Sequence, residues 1–207
     1  KRIVVTAGGT QEPIDPVRCV TNRSSGKMGY AIAEAARDRG AEVTLVTAPT
    51  ALRAPATVNV INVMTAREMA DATERAVNGA DALIMAAAVA DFRPAIAAGD
   101  KIKKQDGSLT IELERTIDIL GSVRGNFVRV GFAAESSRLK ENATAKLREK
   151  SLDFIVANDI TAADTGFGSD KNRVTILDRN GEAEELPLMS KREVAERILD
   201  RVAQLLT

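Results

Sequence analysis

The sequence contains no histidine and no tryptophan, and its 207 residues include one cysteine and one tyrosine. The absence of histidine excludes Ser-His and Cys-His catalytic pairs, imidazole acid–base catalysis and the common zinc sites. The single cysteine, Cys19, excludes an internal disulfide, and we interpret it as a small unreactive side chain. Any chemistry must therefore use lysine, arginine, carboxylates, amides or a bound metal ion.

Neither sign of charge is in excess, because the 29 basic residues balance the 29 acidic residues and the formal net charge is zero. The basic residues are scattered and aromatic residues are few, so we expect no nucleic-acid partner. No apolar run has membrane-spanning length and no signal peptide is visible, so we expect no membrane partner and a cytoplasmic protein. The chain starts at Lys1 without an initiator methionine. We therefore expect one domain, residues 1–207, taken from a longer chain.

Strand and helix patterns alternate through the first half of the chain. Buried strands are predicted at Arg2–Ala7, Glu42–Thr47, Val58–Val63 and Ala82–Ala87, and helices at Met28–Arg39 and Thr65–Val77. Thr65 and Glu68 have the spacing of a capping box. The alternation predicts an α/β fold of Rossmann-like type, a mostly parallel sheet with helices on both faces.

The second half is less regular, and we expect it to form ligand loops and dimer contacts. Strands are predicted at Leu109–Leu113, Phe127–Phe132, Phe154–Ala157 and Arg173–Leu177, and helices at Asp118–Arg124, Glu135–Lys150 and from Lys191 onward. Val194, Ile198, Val202 and Leu205 give the last helix an apolar face. Two long loops, 88–108 and 158–172, follow strand ends, where open α/β sheets bind ligands. We predict that the second of them closes over the site.

Glycines and hydroxyl residues between the first strand and the first helix predict a phosphate cradle. Gly8, Gly9 and Thr10 close the strand, and Ser24, Ser25 and Gly26 precede the helix. Glycines allow the backbone to approach an anion closely, and the amino end of a helix favours negative charge. The segment therefore predicts a nucleotide or another phosphorylated ligand.

Two common nucleotide-binding templates do not fit this cradle well. Thr21 replaces the first glycine of a Walker A loop and Met28 replaces its metal-binding hydroxyl, so a P-loop NTPase is excluded. The dinucleotide template fits better, but no acidic residue follows the second strand to hold a ribose. NAD is therefore weakly supported, and the glycines could also make only a tight turn.

The loop after the fourth predicted strand carries charged residues. Asp91 follows the buried strand, and we name it as a Mg²⁺ ligand because Mg²⁺ is held by carboxylates together with phosphate oxygens. Lys101, Lys103 and Lys104 lie farther along the same loop. They form either part of an anion site or an ordinary solvated charge cluster.

Several motifs occur in order along nearly the whole chain. They are Thr10-x-Glu12-x-Ile14-Asp15-Pro16-Val17-Arg18, Asn22-x-Ser24-Ser25-Gly26-Lys27-Met28-Gly29, Ala87-Ala88-Val89-Ala90-Asp91-Phe92, Lys101-Ile102-Lys103-Lys104, Gly131-Phe132-Ala133-Ala134-Glu135 and Ala157-Asn158-Asp159. With these motifs the chain resembles the phosphopantothenoylcysteine synthetase family. Members of that family form one half of a bifunctional bacterial coenzyme A biosynthesis protein, and the other half is a flavin-dependent decarboxylase.

The resemblance implies a homodimer and a two-step ligase reaction. CTP with Mg²⁺ would activate 4′-phosphopantothenate as an acyl-cytidylate, and L-cysteine would then displace CMP. Such chemistry needs lysine, metal and amide donors but no histidine. The full-length chain would also carry the decarboxylase domain.

The resemblance also implies roles for individual residues. Asn22 would contact the acyl intermediate, Lys101 the reacting phosphate, and Arg18 and Ala88 the phosphopantothenate. The residues implied to contact CTP are Gly8, Gly9, Thr10, Ser24, Ser25, Gly26, Met85, Ala86, Ala87, Asp91, Phe92, Lys101, Ile117, Asp118, Ile119, Leu120, Phe132, Lys146 and Lys150. Ile117 departs from the proline expected before Asp118.

Two other classes of function remain alternatives. A short-chain NAD(P) oxidoreductase has a similar glycine pattern, but it needs Tyr-x-x-x-Lys, and the only tyrosine, Tyr30, is followed at that spacing by Glu34. A non-catalytic nucleotide-binding domain is the second alternative. Release of pyrophosphate from a nucleotide would separate it from the ligase.

Overall fold

The computed structural model describes residues 1–104, 107–135, 139–159 and 168–206. The strands are β1 Arg2–Ala7, β2 Gln11–Pro13, β3 Cys19–Thr21, β4 Glu42–Thr47, β5 Asn59–Asn62, β6 Ala82–Met85, β7 Phe92–Pro94, β8 Leu113–Arg115, β9 Val128–Glu135, β10 Phe154–Asp159, β11 Lys171–Asn172, β12 Val174–Asp178, β13 Ala183–Glu185 and β14 Met189–Ser190. The helices are α1 Lys27–Asp38, α2 Ala66–Ala76, α3 Ile119–Ser122, α4 Leu139–Glu149 and α5 Lys191–Leu205.

An eight-stranded sheet organises the chain, in the order β13-β12-β10-β9-β6-β1-β4-β5. From β10 to β5 all neighbouring strands are parallel, whereas β12 and β13 at one edge are antiparallel. Short hairpins β2–β3 and β7–β8 lie outside this sheet. The predicted α/β, Rossmann-like class is confirmed.

Helices cover both faces of the sheet, because apolar residues of the parallel strands point alternately to opposite sides. Val5 of β1 packs in one core with Ile32 of α1 and Ile198 of α5. Val4, its neighbour, packs in the other core with Met69 of α2 and Leu147 of α4. The sheet therefore separates two cores, and its strand ends are left to form loops.

Gly29 allows α1 to lie directly on the first strand. A Cβ atom at this position would lie 2.6 Å from Ala7 Cβ and 2.7 Å from the carbonyl oxygen of Thr6. Both atoms belong to β1, an interior strand of the sheet between β6 and β4. The missing side chain therefore sets the distance between the start of α1 and the end of β1.

Several predicted element boundaries were wrong. The predicted helix Asp118–Arg124 shortens to α3, for which Asp118 serves as N-cap by accepting a hydrogen bond from Gly121 N. The loop predicted over 88–108 contains β7, and the hairpins were not predicted. The predicted strand Leu109–Leu113 was wrong, because it shares only Leu113 with β8. Leu205 is 46% exposed, although the rest of the predicted apolar face of α5 is buried. The predicted closing loop 158–172 lies in part outside the described residues.

The two ends of the described chain meet. Lys1 Nζ donates a hydrogen bond to the carbonyl oxygen of Leu206 at 3.4 Å. Lys1 precedes β1, so this contact lies at the amino ends of the parallel strands. Among the described residues, no helix is both long enough and apolar enough to cross a membrane.

Candidate functional site

A cleft of about 970 Å³ opens at the carboxyl ends of β1 and β6. The next strand of the sheet after β1 is β4, on one side, and the next after β6 is β9, on the other side. Open α/β sheets bind ligands where the strand order reverses in this way. The loops that follow them are joined, since Ala88 N donates to Gly8 O at 2.8 Å and Thr10 N donates to Ala88 O at 3.2 Å. The floor of the cleft is therefore a connected pair of loops.

The cradle predicted from the sequence lies in this cleft. Gly26 has a positive φ of 77° and caps α1, and its N–H donates to Ser24 Oγ at 3.3 Å. Ser25 and Lys27 line the cleft beside it. Because the first amides of a helix have no partner within the helix, hydroxyls, amides and the helix dipole together favour an anion here.

Asn22 links the cradle to the loop after β6. Its Nδ2 donates to the carbonyl oxygens of Ala88 and Val89, each at 3.2 Å. Both hydrogens of the side-chain amide are thus used within the protein. Asn22 fixes the width of the cleft at this point, and its predicted contact with an acyl group stays a prediction.

Two lysines at the carboxyl end of α4 line the opposite wall: Lys146 lies on α4, and Lys150 directly follows it. Lys146 Nζ donates to Phe132 O at 3.2 Å, and Lys150 pairs with Asp118 and, at 2.8 Å, with Glu149. The hydrogen bond from Lys150 to Asp118 is the main cause of a raised pKa for Lys150. Burial opposes ionisation of Asp118, but Lys150 and the amide of Gly121 outweigh it and lower the pKa of that carboxyl.

Sequence reasoning did not assign a role to two further lysines of the cleft. Lys27 is the first residue of α1 and Lys191 is the first residue of α5. Lys191 is only 9% exposed, and burial together with the charge of Lys27 lowers its pKa. Their positions at helix starts were visible in the sequence, but their meeting at one cleft depends on how α5 packs beside α1.

The cleft brings together most of the predicted site residues. Those that line it are Asn22, Ser24, Ser25, Gly26, Met85, Ala86, Ala87, Ala88, Asp91, Phe92, Ile117, Asp118, Ile119, Leu120, Phe132, Lys146 and Lys150. Lining residues to which no role was given are Arg23, Lys27, Met28, Val89, Arg115, Thr116, Ala133, Glu149, Asn158, Gly168, Asn172 and Lys191. Gly8, Gly9 and Thr10 are buried; the Thr10 hydroxyl accepts a hydrogen bond from Ala90 N at 2.9 Å.

Arg18 and Lys101 line a second groove, of about 560 Å³, with Lys103 and Lys104. The buried carboxylate of Asp15 organises it. Asp15 pairs with the guanidinium of Arg18 and accepts a hydrogen bond from Ile102 N at 3.1 Å. One carboxylate thus holds the arginine and the lysine loop in place.

We expect Asp15→Asn to lower the melting temperature, because the substitution removes the charge that Arg18 faces. The hydrogen bonds from Arg18 are the main cause of a pKa for Asp15 far below its usual value, so the native state favours the ionised form. This stabilisation is complete above the unfolded-state pKa of about 3.9 and decreases as the pH falls below it. Melting curves of both proteins from pH 7 to pH 3 test this.

The difference in melting temperature between wild type and Asp15→Asn should be constant at neutral pH and shrink in acid. Asp91→Asn provides a matched control, because Asp91 is exposed. A difference that grows as the pH falls would contradict this role of Asp15.

Asp91 lines the cleft, but its surroundings do not support a metal centre built from protein groups. Its side chain is exposed. Within the described ranges there is no group of three or more His, Cys, Asp or Glu residues that could hold a metal ion. Cys19 is free and exposed on β3.

Comparison with known proteins places this site in a family. The family model described as "DNA/pantothenate metabolism flavoprotein C-terminal domain" matches residues 1–206. The coenzyme A biosynthesis bifunctional protein CoaBC of Bacillus subtilis (strain 168) is 47% identical over 209 residues, covering 99% of this chain and 52% of that protein. A cysteine/cysteine sulfinic acid decarboxylase of an unknown prokaryotic organism is 44% identical, covering 99% of this chain and 58% of that protein.

A solved structure agrees with the fold. The crystal structure of the C-terminal domain of CoaBC superposes with a TM-score of 0.85 at 46% identity, covering 100% of this chain and 95% of that one. The chain spans little more than half the length of the two full-length relatives.

These matches correct the identification made from the motifs. The matching family is described as a flavoprotein domain and not as a phosphopantothenoylcysteine synthetase, and one relative is named a decarboxylase. None of these descriptions states a ligase, CTP or magnesium. The predictions of a ligase activity, of CTP as co-substrate and of Mg²⁺ as cofactor are therefore wrong.

The family description raises a flavin as a possible cofactor, and the residues present fit it only in part. The cradle at Gly26 suits the phosphate of a flavin mononucleotide, as it suits any phosphate. The chain has no histidine for proton transfer, and Cys19 is exposed and is not part of the cleft lining. Four lysines line the cleft: Lys27, Lys146, Lys150 and Lys191. The described residues of the cleft therefore do not support flavin-dependent chemistry.

Proposed function

Since the chain belongs to the DNA/pantothenate metabolism flavoprotein C-terminal domain family, we propose that it binds a phosphorylated metabolite of coenzyme A biosynthesis. The names of its relatives support the pathway. One observation carries the proposal: an anion cradle and four lysines converge on one cleft. We further propose that residues 1–207 form one domain of a longer cytoplasmic protein.

The cradle would hold the phosphate. Ser24 and Ser25 offer hydroxyls, and the first amides of α1 offer donors that the helix itself does not use. Lys146 and Lys150 would neutralise further negative charge from the opposite wall. The apolar side chains of Met85 and Phe132 would contact the uncharged part of the ligand.

The second groove would take another anionic group. Arg18 is fixed by Asp15, so its guanidinium is preorganised for a phosphate or carboxylate. Lys101 lies in the same groove. We propose that both bind an acidic part of the substrate, and that Asn22 and Ala88 border the reacting region.

The hairpin region carries exposed apolar side chains that support a homodimer. Val17, Ile96 and Leu109 are each more than half exposed, and all three lie at the tips or in the connections of the small hairpins. Exposed apolar residues that form one contiguous patch are typical of protein interfaces. We therefore propose that this region contacts a second copy of the chain.

We expect inorganic pyrophosphate to bind the cleft, and Lys150→Gln to weaken this binding about tenfold, the scale of one charge-assisted hydrogen bond. Titration calorimetry of both proteins measures the effect. Lys140→Gln is the matched control, because Lys140 lies on α4, the helix that Lys150 directly follows, and pairs with Glu185 away from the cleft lining.

A panel of phosphorylated probes then identifies the class of ligand. Inorganic phosphate, pyrophosphate, flavin mononucleotide and nucleoside triphosphates each contain the group that the cradle would bind. Absence of binding for every probe, or an equal loss of affinity in Lys140→Gln and Lys150→Gln, would overturn the proposed function.

A further inference from the structure

Residues 168–172 form part of the cleft wall, and two lysines hold them. Lys191 Nζ donates to Ser169 O at 2.6 Å and to Asn172 Oδ1 at 3.4 Å. Lys27 Nζ donates to Gly168 O at 2.8 Å and to Asp170 Oδ1 at 2.6 Å. Both lysines line the cleft, so this wall is attached at the same place where an anion would bind.

The two attachments differ in strength. Lys191 is buried and bonds to neutral oxygens, and its backbone N–H also donates to Asp170 O at 3.0 Å. The Asp170 side chain, in contrast, is 87% exposed and that of Lys27 is 33% exposed. Exposed ion pairs contribute little to stability, because water screens them. The pair of Lys27 with Asp170 is therefore the attachment that a ligand can replace.

A phosphate is a stronger partner for Lys27 than Asp170 is. Lys27 follows Gly26 directly, so it belongs to the cradle. A phosphate in the cradle would carry more negative charge than one carboxylate. It would also accept hydrogen bonds from the first backbone amides of α1. Asp170 is ionised at neutral pH, as aspartates ordinarily are, and the hydrogen bond with Lys27 lowers the pKa of its carboxyl further.

We propose that Lys27 exchanges Asp170 for the phosphate of the ligand, so that Asp170 is a built-in competitor at the binding site. This inference rests on the proposed function and adds a regulatory element to it. Binding would release Asp170, while Lys191 would keep Ser169 and Asn172 in place. Binding of an anion in the cradle is thereby coupled to the release of residues 168–170 from Lys27.

Calorimetry with inorganic pyrophosphate tests the exchange in four proteins: wild type, Asp170→Asn, Lys27→Gln and the double variant. Asp170→Asn should bind about threefold to tenfold more tightly, because Lys27 loses its charged competitor. Lys27→Gln should bind about tenfold more weakly. In the Lys27→Gln background, Asp170→Asn should have no further effect.

Glu185→Gln is the matched control, because it breaks the exposed ion pair with Lys140, which lies outside the cleft lining. It should leave the affinity unchanged. Hydrogen exchange at Gly168 and Asp170, the two residues that Lys27 holds, gives a second measurement. Their exchange should rise on adding pyrophosphate to the wild type, and also in ligand-free Asp170→Asn.

The outcomes separate this inference from the proposed function. If the wild type binds pyrophosphate but Asp170→Asn binds no more tightly, the exchange is wrong and the proposed function stands. The same holds if the effects of the two substitutions simply add. If the wild type binds none of the phosphorylated probes, the proposed function is wrong and the exchange is wrong with it. If it binds another probe but not pyrophosphate, the same comparison of four proteins with that probe decides the exchange.

Discussion

Gly29→Ala is expected to lower the free energy of unfolding by about 3 kcal/mol, at the upper end for overpacking in a core. The added methyl would lie 2.6 Å from Ala7 Cβ and 2.7 Å from Thr6 O. Neither group can rotate away, because Thr6 O belongs to the backbone and Ala7 Cβ is fixed to it. The helix must therefore move away from β1, and urea denaturation measures the cost.

Gly99→Ala is the control for this experiment. A Cβ atom at Gly99 would meet no atom within 4 Å, so the substitution should change stability by less than about 0.5 kcal/mol. If Gly29→Ala were as stable as Gly99→Ala, the close packing of α1 on β1 would not matter for the fold.

Gly26→Ala is expected to weaken pyrophosphate binding by at least about tenfold, equal to 1.4 kcal/mol. The residue has a φ of 77°, and its Cβ would lie 2.6 Å from Thr50 Cγ2 and 3.4 Å from Gly8 N. The substitution would strain the left-handed backbone at Gly26 and force the new Cβ against Thr50, so the cradle residues would shift. Calorimetry at a temperature where both proteins are folded measures the loss.

Gly40→Ala separates the loss of binding from backbone strain. Gly40 also has a positive φ, of 82°, but a Cβ there would meet nothing within 4 Å. Both substitutions should cost about 1 kcal/mol or more of stability through the left-handed conformation. Only Gly26→Ala should weaken binding, and equal affinities in the two variants would contradict a cradle at Gly26.

The parallel sheet was predictable because its strands are buried on both faces and read as continuous apolar runs. The predicted bounds of β1 and β4 match the structure, and the capping box of Thr65 and Glu68 is confirmed. The hairpins β2–β3 and β7–β8 were missed because strands of three residues are too short to show a periodicity.

The cradle residues were also predictable, but the residues that packing brings together around them were not. Gly26 and its neighbouring serines are contiguous, so a local pattern reveals them. Lys191 is far from Lys27 in the chain, and only the packing of α5 brings both to segment 168–172. Likewise, Arg18 and Lys101 share a groove because Asp15 bonds to both of their segments.

The identification from motifs was wrong for a related reason. Glycines and hydroxyls at the start of a helix recognise phosphate, which many ligands share. The rest of a ligand is recognised by loop backbone and by side chains distant in sequence. Local motifs therefore predict a phosphate-binding cradle, but they do not determine which reaction follows.

The meeting of Lys1 with Leu206 also makes the chain a candidate for circular permutation. Because the ends touch at the amino ends of the parallel strands, a short linker can join them without crossing the cleft. New ends can then be opened at an exposed turn such as residues 179–181, between β12 and β13 at the sheet edge. If the protein is attached to a solid surface through either original end, the cleft faces away from that surface.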